Sequence, residues 1–159
     1  TKESIMILFI IAAAGVFSYM LSSLYITQSI AEWISVLEVN RWVLMGAVNI
    51  FLIIAGFFLP PVAVILMTAP ILLPVITGAG FDPIWFAVVL TINMEIGLIS
   101  PPVGLNLYVI NGIAPDISLR TILIGSLPFV ACMLIAIALL CFFPGLATWL
   151  PDFIMGPAL

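Results

Sequence analysis

Histidine is absent from this chain, and only three of its 159 residues are basic. So small a basic complement cannot build the stripe of Lys and Arg that grips a phosphate backbone, so nucleic acid is not an expected partner. The seven acidic residues leave a net charge of −4, spread thinly. No nucleophile–base pair and no metal-ligand cluster is apparent. Ser100, beside two prolines, has no base to activate it. An enzyme is therefore not expected, and neither is a cofactor. The two cysteines, Cys132 and Cys141, lie in one apolar stretch at a spacing unsuited to metal; they are expected as buried free thiols.

What is present is apolar. Hydrophobic residues make up 65% of the chain and charged residues 6%, against about 25% charged in a soluble domain. No soluble core hides that much oil, so the expected class is an all-α integral membrane protein whose solvent is the lipid bilayer. Lys2 precedes an apolar run too long for a signal-peptide core and without a small-residue cleavage site. The chain opens on Thr1, which fits a processed or truncated piece of a longer protein.

Residues 5–28 are long and apolar enough to span once. Ser18, Ser22, Ser23, Thr27 and Gln28 gather in their second half; small polar residues that pack helix on helix explain them better than a ligand-facing stripe does. Residues 29–41 mix Glu32, Trp33, Glu38, Asn40 and Arg41 with apolar residues, the pattern of an interfacial segment. Residues 42–77 form an apolar run about two spans long, interrupted at Gly56-Phe57-Phe58-Leu59-Pro60-Pro61. A turn in water is ordinarily polar, and this one has no charged residue. A re-entrant hairpin with arms at 43–56 and 62–76 fits better than two full crossings, with Pro70 and Pro74 bending or fraying the second arm. Asp82 and Pro83 are placed to cap and open the next helix. Residues 117–143 read as a further span, started by Asp116 or Ser118 and kinked at Pro128, and Pro144, Trp149, Pro151 and Asp152 mark its exit at an interface.

The span at residues 84–113 holds Ser100-Pro101-Pro102 at its middle. Proline cannot donate a backbone hydrogen bond and disfavours helix in the residue before it. The expected result is two half-helices, about 84–97 and 103–113, around an unwound loop. Freed peptide groups cannot face lipid, so the loop must be covered by protein or line a wet cavity. The first half-helix offers carbonyls near Gly97–Ser100, which suit a hard cation such as Na⁺, and the second offers N–H groups near Val103–Leu105, which suit a carboxylate. Ser100 and Asn106 add side-chain oxygens, Asn93 lies one turn before Gly97, and Gly97 and Gly104 permit close backbone approach. A plain proline kink packed against its neighbours is the alternative. Glu95 lies near the middle of the span, where it must face protein or water unless it sits shallow enough to be solvated. Counting crossings places Lys2 and Arg120 on one side and Arg41 with most acidic residues on the other; the excess of positive charge then puts the C-terminus outside.

The run Gly97-Leu98-Ile99-Ser100-Pro101-Pro102-Val103-Gly104, with Asn93 before it and Asn106-Leu107 after it, resembles the proline-proline-glycine signature of the large membrane subunit (DctM-like) of TRAP, the tripartite ATP-independent periplasmic transporters. Ala69-Pro70-Ile71-Leu72-Leu73-Pro74, Gly80-Phe81-Asp82-Pro83-Ile84-Trp85-Phe86 and Phe143-Pro144-Gly145-Leu146-Ala147-Thr148-Trp149-Leu150-Pro151 are similar to further family segments in the same order. The resemblance implies one inverted-repeat half, the second, of an elevator-type secondary transporter in the bacterial inner membrane. It implies Na⁺-coupled import of organic acids, such as C4-dicarboxylates or sialic acid. A periplasmic solute-binding protein would deliver the substrate, and a small four-helix membrane subunit and the N-terminal repeat of the same subunit would complete the assembly. It further implies that the hairpin tip and the loop enclose one Na⁺ site. Gly56, Gly97, Ser100, Pro101, Pro102 and Gly104 would lie around the ion, and Asn93, Val103 and Asn106 would border the substrate. No other metal is expected. Two departures stand out: Ser100 replaces a frequent threonine but keeps the hydroxyl, and Leu59-Pro60-Pro61 stands where an acidic residue is common.

A binding-protein-independent Na⁺–anion symporter shares the hairpin and broken helix, and a channel or scaffold with the hairpin as a pore loop is a third reading. A lone repeat would expose the face meant for its partner. The purified 159-residue chain is therefore expected not to transport when reconstituted in liposomes. Saturable Na⁺-driven flux from it would contradict the half-transporter reading.

Overall fold

The computed structural model describes residues 2–26, 29, 32, 40–102 and 104–156. Seven of the described elements are α-helices: α1 (Lys2–Ser23), α2 (Arg41–Phe58), α3 (Pro61–Gly78), α4 (Pro83–Ile99), α5 (Leu105–Ile113), α6 (Leu119–Phe142) and α7 (Gly145–Met155). Three of them, α2, α3 and α6, are long and apolar enough to cross a membrane. Most of the expected interfacial segment 29–41, with Trp33 and Glu38, lies outside the described residues, as do Thr27, Gln28 and the side chains of Ser18 and Ser22. Ser23, the rest of that polar group, is exposed and donates to Met20 O of its own helix at 3.0 Å.

Each helix starts where the local chemistry allows it. Asn40 caps α2 by accepting from Trp42 N at 2.9 Å. Asp82 caps α4 by accepting from Trp85 N at 2.9 Å, with Pro83 at the first helical position, where its missing N–H costs nothing. Ser118, rather than Asp116, starts α6 by accepting from Thr121 N at 3.2 Å. Pro60 and Pro61 end α2 and open α3, leaving a turn at Leu59–Pro60. Both arms of this pair are 18 residues long, four more than expected for α2 and three more for α3, or ~27 Å each at 1.5 Å per residue. Pro70 and Pro74 do not end α3, which continues to Gly78.

The core forms around α4. Trp85, Phe86, Val89, Leu90 and Met94 are buried against Met45, Val48 and Leu52 of α2, Val64 and Ile76 of α3, and Leu140 of α6. Trp85, 1% exposed, donates its indole N–H to Leu140 O at 2.8 Å, so the largest side chain in the core has its one polar atom satisfied. Helices α2 and α4 run side by side in the same direction. At their start Phe81 lies edge-on to Trp42 and stacked on Trp85. At their end Gly56 meets Gly97. The outward face of α6 carries Ile124, Phe129, Ile135 and Phe142, all exposed. The cysteines are free, as expected, but not buried: Cys132 is exposed on that face, and Cys141, half-buried, packs at the edge of the core beside Leu140. Helix α7 forms where only an interfacial exit was expected. Pro144 ends the preceding apolar helix, and the new one shows Leu146, Trp149, Phe153 and Ile154 outward, the side chains an interfacial helix sets into a membrane surface.

Where α2 and α4 end, glycine packs on glycine. A Cβ on Gly97 would lie 2.6 Å from the carbonyl carbon of Gly56 and 2.7 Å from its oxygen, backbone atoms that cannot swing aside. Gly97→Ala is expected to force α2 off α4 and destabilise the full-length protein by about 1–3 kcal/mol. Gly46→Ala, inside α2 with open space around its would-be Cβ, should be neutral or stabilising by up to ~1 kcal/mol. Unfolding of the purified variants followed by circular dichroism measures both; equal stability of the two would contradict the close approach.

Candidate functional site

Helix α4 stops at Ile99 because Pro101 and Pro102 have no N–H to return to its last turn. The interruption runs from Ser100 to Gly104, and α5 begins at Leu105. Ser100 is extended (φ −108°, ψ 148°) and 6% exposed. The Pro101–Pro102 peptide is cis, and both rings lie exposed. Gly104 is buried in the left-handed region at φ 52°, and a Cβ there would lie 2.9 Å from Ser100 O and 2.8 Å from Leu107 Cδ1. Glycine thus lets the loop close on itself, and Leu107 N then donates to Gly104 O at 2.8 Å to start α5.

The last turn of a helix leaves carbonyls without intrahelical partners. One of these, Ile99 O, accepts from Ser126 Oγ of α6 at 3.1 Å, a hydroxyl that also lies 2.8 Å from Leu123 O of its own helix. Ser126 therefore ties the break to α6. It was not among the residues expected at the site; its only sign in the sequence is a hydroxyl in an apolar span, two residues before Pro128.

Asn93 is fully buried and faces α2. Its Nδ2 donates to Val89 O at 2.9 Å and to Asn49 Oδ1. Asn49, half-buried, donates its own Nδ2 to Met45 O at 2.8 Å. Asn93 Oδ1 is the one buried side-chain polar atom among the described residues with no hydrogen-bond partner. Gly56 packs beside the same turn: a Cβ there would lie 3.8 Å from the backbone carbonyl oxygen of Asn93 and 3.4 Å from Gly97 Cα.

The fold thus gathers Gly56, Asn93 and Gly97 at one contact, and Ser100 with Gly104 at the loop that follows. Asn106 is exposed on the first turn of α5, and Pro101 and Pro102 are exposed in the loop. Val103 lies outside the described residues. Glu95 is exposed on α4, on the same outward stripe as Ala87 and Thr91. No group of three His, Cys, Asp or Glu is placed to hold a metal among the described residues. What the arrangement offers is oxygen: the carbonyls at the end of α4, the Ser100 hydroxyl and the Asn93 amide. The N-terminal end of α5 follows at Leu105, with no side-chain cap on its first N–H groups. The first set suits a cation and the second an anion.

The family model described as "Tripartite ATP-independent periplasmic transporter, DctM component" matches residues 1–146. The C4-dicarboxylate TRAP transporter large permease protein DctM of Pseudomonas aeruginosa is 39% identical over 153 residues, 96% of this chain and 36% of the relative. The sialic acid TRAP transporter large permease protein SiaM of Vibrio cholerae is 32% identical over 141 residues, 89% of this chain and 33% of the relative. The ectoine TRAP transporter large permease protein TeaC of Halomonas elongata is 31% identical over 147 residues, 92% of this chain and 34% of the relative. The chain thus spans about a third of the length of these relatives. An apolar all-helical chain interrupted at Ser100–Gly104, matched over almost its whole length, belongs to the DctM family of tripartite ATP-independent periplasmic transporter components.

Proposed function

We propose that this chain is the cation-holding half of a secondary transporter's large membrane subunit, one that couples import of an organic acid to a Na⁺ gradient. The observation that carries the reading is the backbone contact of Gly56 with Gly97. It brings the end of the first hairpin arm against the end of the first half-helix, one turn before the Ser100–Gly104 loop. Two interruptions in apolar helices, remote in sequence, thereby share one place, and irregular backbone at membrane depth persists only where protein or a wet cavity satisfies it. Interrupted helices of this kind supply ion and substrate sites in secondary transporters.

In this reading Gly56, Gly97, Ser100, Pro101, Pro102 and Gly104 surround Na⁺, and Asn93, Val103 and Asn106 border the substrate. The α2–α3 pair enters and leaves the membrane on one side as a re-entrant hairpin. The half-transporter moves as an elevator against its scaffold in the inner membrane, with the C-terminus in the periplasm. A periplasmic solute-binding protein hands over the substrate, a C4-dicarboxylate or a sialic-acid-like acid; the N-terminal repeat of the same subunit and a small four-helix membrane subunit complete the assembly. Support for the partners and the substrate class comes from the names of the TRAP permeases that match along almost all of this chain.

In the complete transporter reconstituted in liposomes, with radiolabelled succinate and N-acetylneuraminate as probes, Ser100→Ala should raise the Na⁺ concentration for half-maximal uptake about tenfold, the effect of losing one interaction with a charged group. Asn106→Ala should raise the substrate KM with little change in Na⁺ dependence. Uptake by Ser100→Ala with wild-type Na⁺ dependence would overturn the assignment of the cation to this loop.

A further inference from the structure

The hydrogen bonds around Asn93 determine which end of its amide is left over. Asn49 Nδ2 points to Met45 O, a carbonyl that can only accept, so Asn49 must present its oxygen to Asn93. Asn93 must then answer with its nitrogen, which also meets a second acceptor in Val89 O. Turning the Asn93 amide over would set oxygen against two oxygens. Asn93 Oδ1 is therefore held in one orientation, buried and without a partner. An unmet acceptor in an apolar interior costs about 1–3 kcal/mol, and such a group calls for a ligand. It belongs to the residue one turn (~6 Å along α4) before Gly97.

We propose that Asn93, besides bordering the substrate, is a ligand of the bound Na⁺ through Oδ1, and that Asn49 is a positioning residue that, with Val89 O, fixes the orientation of this amide. The inference rests on the cation reading of the Gly56–Gly97 contact and deepens it. Asn49 is on α2, the first hairpin arm, and Asn93 is on α4, the first half-helix. The pair therefore ties ion affinity to the packing of α2 on α4.

The test is ²²Na⁺ binding to the purified full-length transporter, which needs no knowledge of the substrate. Asn93→Ala should lower Na⁺ affinity at least about tenfold, and Asn49→Ala, which removes one of the two acceptors holding the Asn93 amide, by about tenfold, as loss of an outer partner of a metal ligand does. Asn49→Asp keeps an acceptor toward Asn93 Nδ2 while losing the donor to Met45 O, and should bind Na⁺ more tightly than Asn49→Ala. That rescue separates positioning from general packing. If Asn93→Ala does not fold, Asn93→Asp, which retains the oxygen, should still bind Na⁺. Loss of affinity in Asn49→Asp equal to that in Asn49→Ala would overturn the positioning role. Wild-type affinity in both alanine variants, with Ser100→Ala still weakened, would overturn this inference and leave the cation site standing. Absence of saturable ²²Na⁺ binding in the wild-type protein would remove the cation reading itself.

Discussion

Ser100 marks the point where the hydrogen-bond ladder of α4 runs out of donors, because the two residues after it carry no N–H. In water this would matter little, since solvent takes the free carbonyls. In an apolar bundle each unmet peptide group costs several kcal/mol, so the rest of the structure has to answer for the break. Ser126 reaches from α6 to take Ile99 O. Gly104 folds the loop back so closely that a side chain would strike Ser100 O. Gly56 and Gly97 dispense with side chains altogether, so the hairpin arm lies against the end of α4 with nothing between the backbones. These contacts come from α6, from the loop itself and from α2, and all converge on one discontinuity.

The remainder of the core makes such convergence possible. A bundle of apolar helices in lipid gains little from burying oil in oil, and close packing with a few satisfied polar bonds must fix its geometry instead. Trp85 supplies one such bond, from α4 to the backbone of α6. The Asn49–Asn93 pair supplies another, from α2 to α4, midway between the aromatic contact at their start and the glycine contact at their end. With three fixed points along their length, the parallel pair has little freedom to slide, and α3 is left as the return limb.

Much of this was legible in the residues. Consecutive prolines in an apolar run announce a break; Asp82-Pro83 announces a helix start; Leu59-Pro60-Pro61 announces the turn between two arms. Each of these signals is local, and local chemistry decides where a helix can begin or end. The site's other half was not local. Gly56 entered through the family resemblance alone, and nothing near it in sequence points to Gly97. Asn49 was passed over because a single amide in an apolar run resembles any packing residue until its partner is known. Ser126 was hidden in the same way. Helix α7 was missed for a different reason: Pro144 and Pro151 suggest an ending, but Pro144 sits at the N-cap, where no N–H is needed, and the short helix carries Pro151 within it.

The outer surface of the chain is not uniform, and the difference carries meaning. The exposed side of α6 is a run of large aliphatic and aromatic side chains, a surface that lipid tails would solvate without cost. The exposed side of α4 bears Ala87, Thr91 and Glu95 instead. A carboxylate at the bilayer centre costs about 2.5–3.5 kcal/mol, so that stripe is disfavoured against lipid while the α6 face is not. Thr91 turns its hydroxyl back on Ala87 O at 2.9 Å, which removes one polar group from the surface, but Glu95 has no such recourse to its own backbone. Polar protein or water satisfies that face of α4 at far lower cost. The break begins five residues beyond Glu95, so the polar side of the helix leads directly to the interrupted loop.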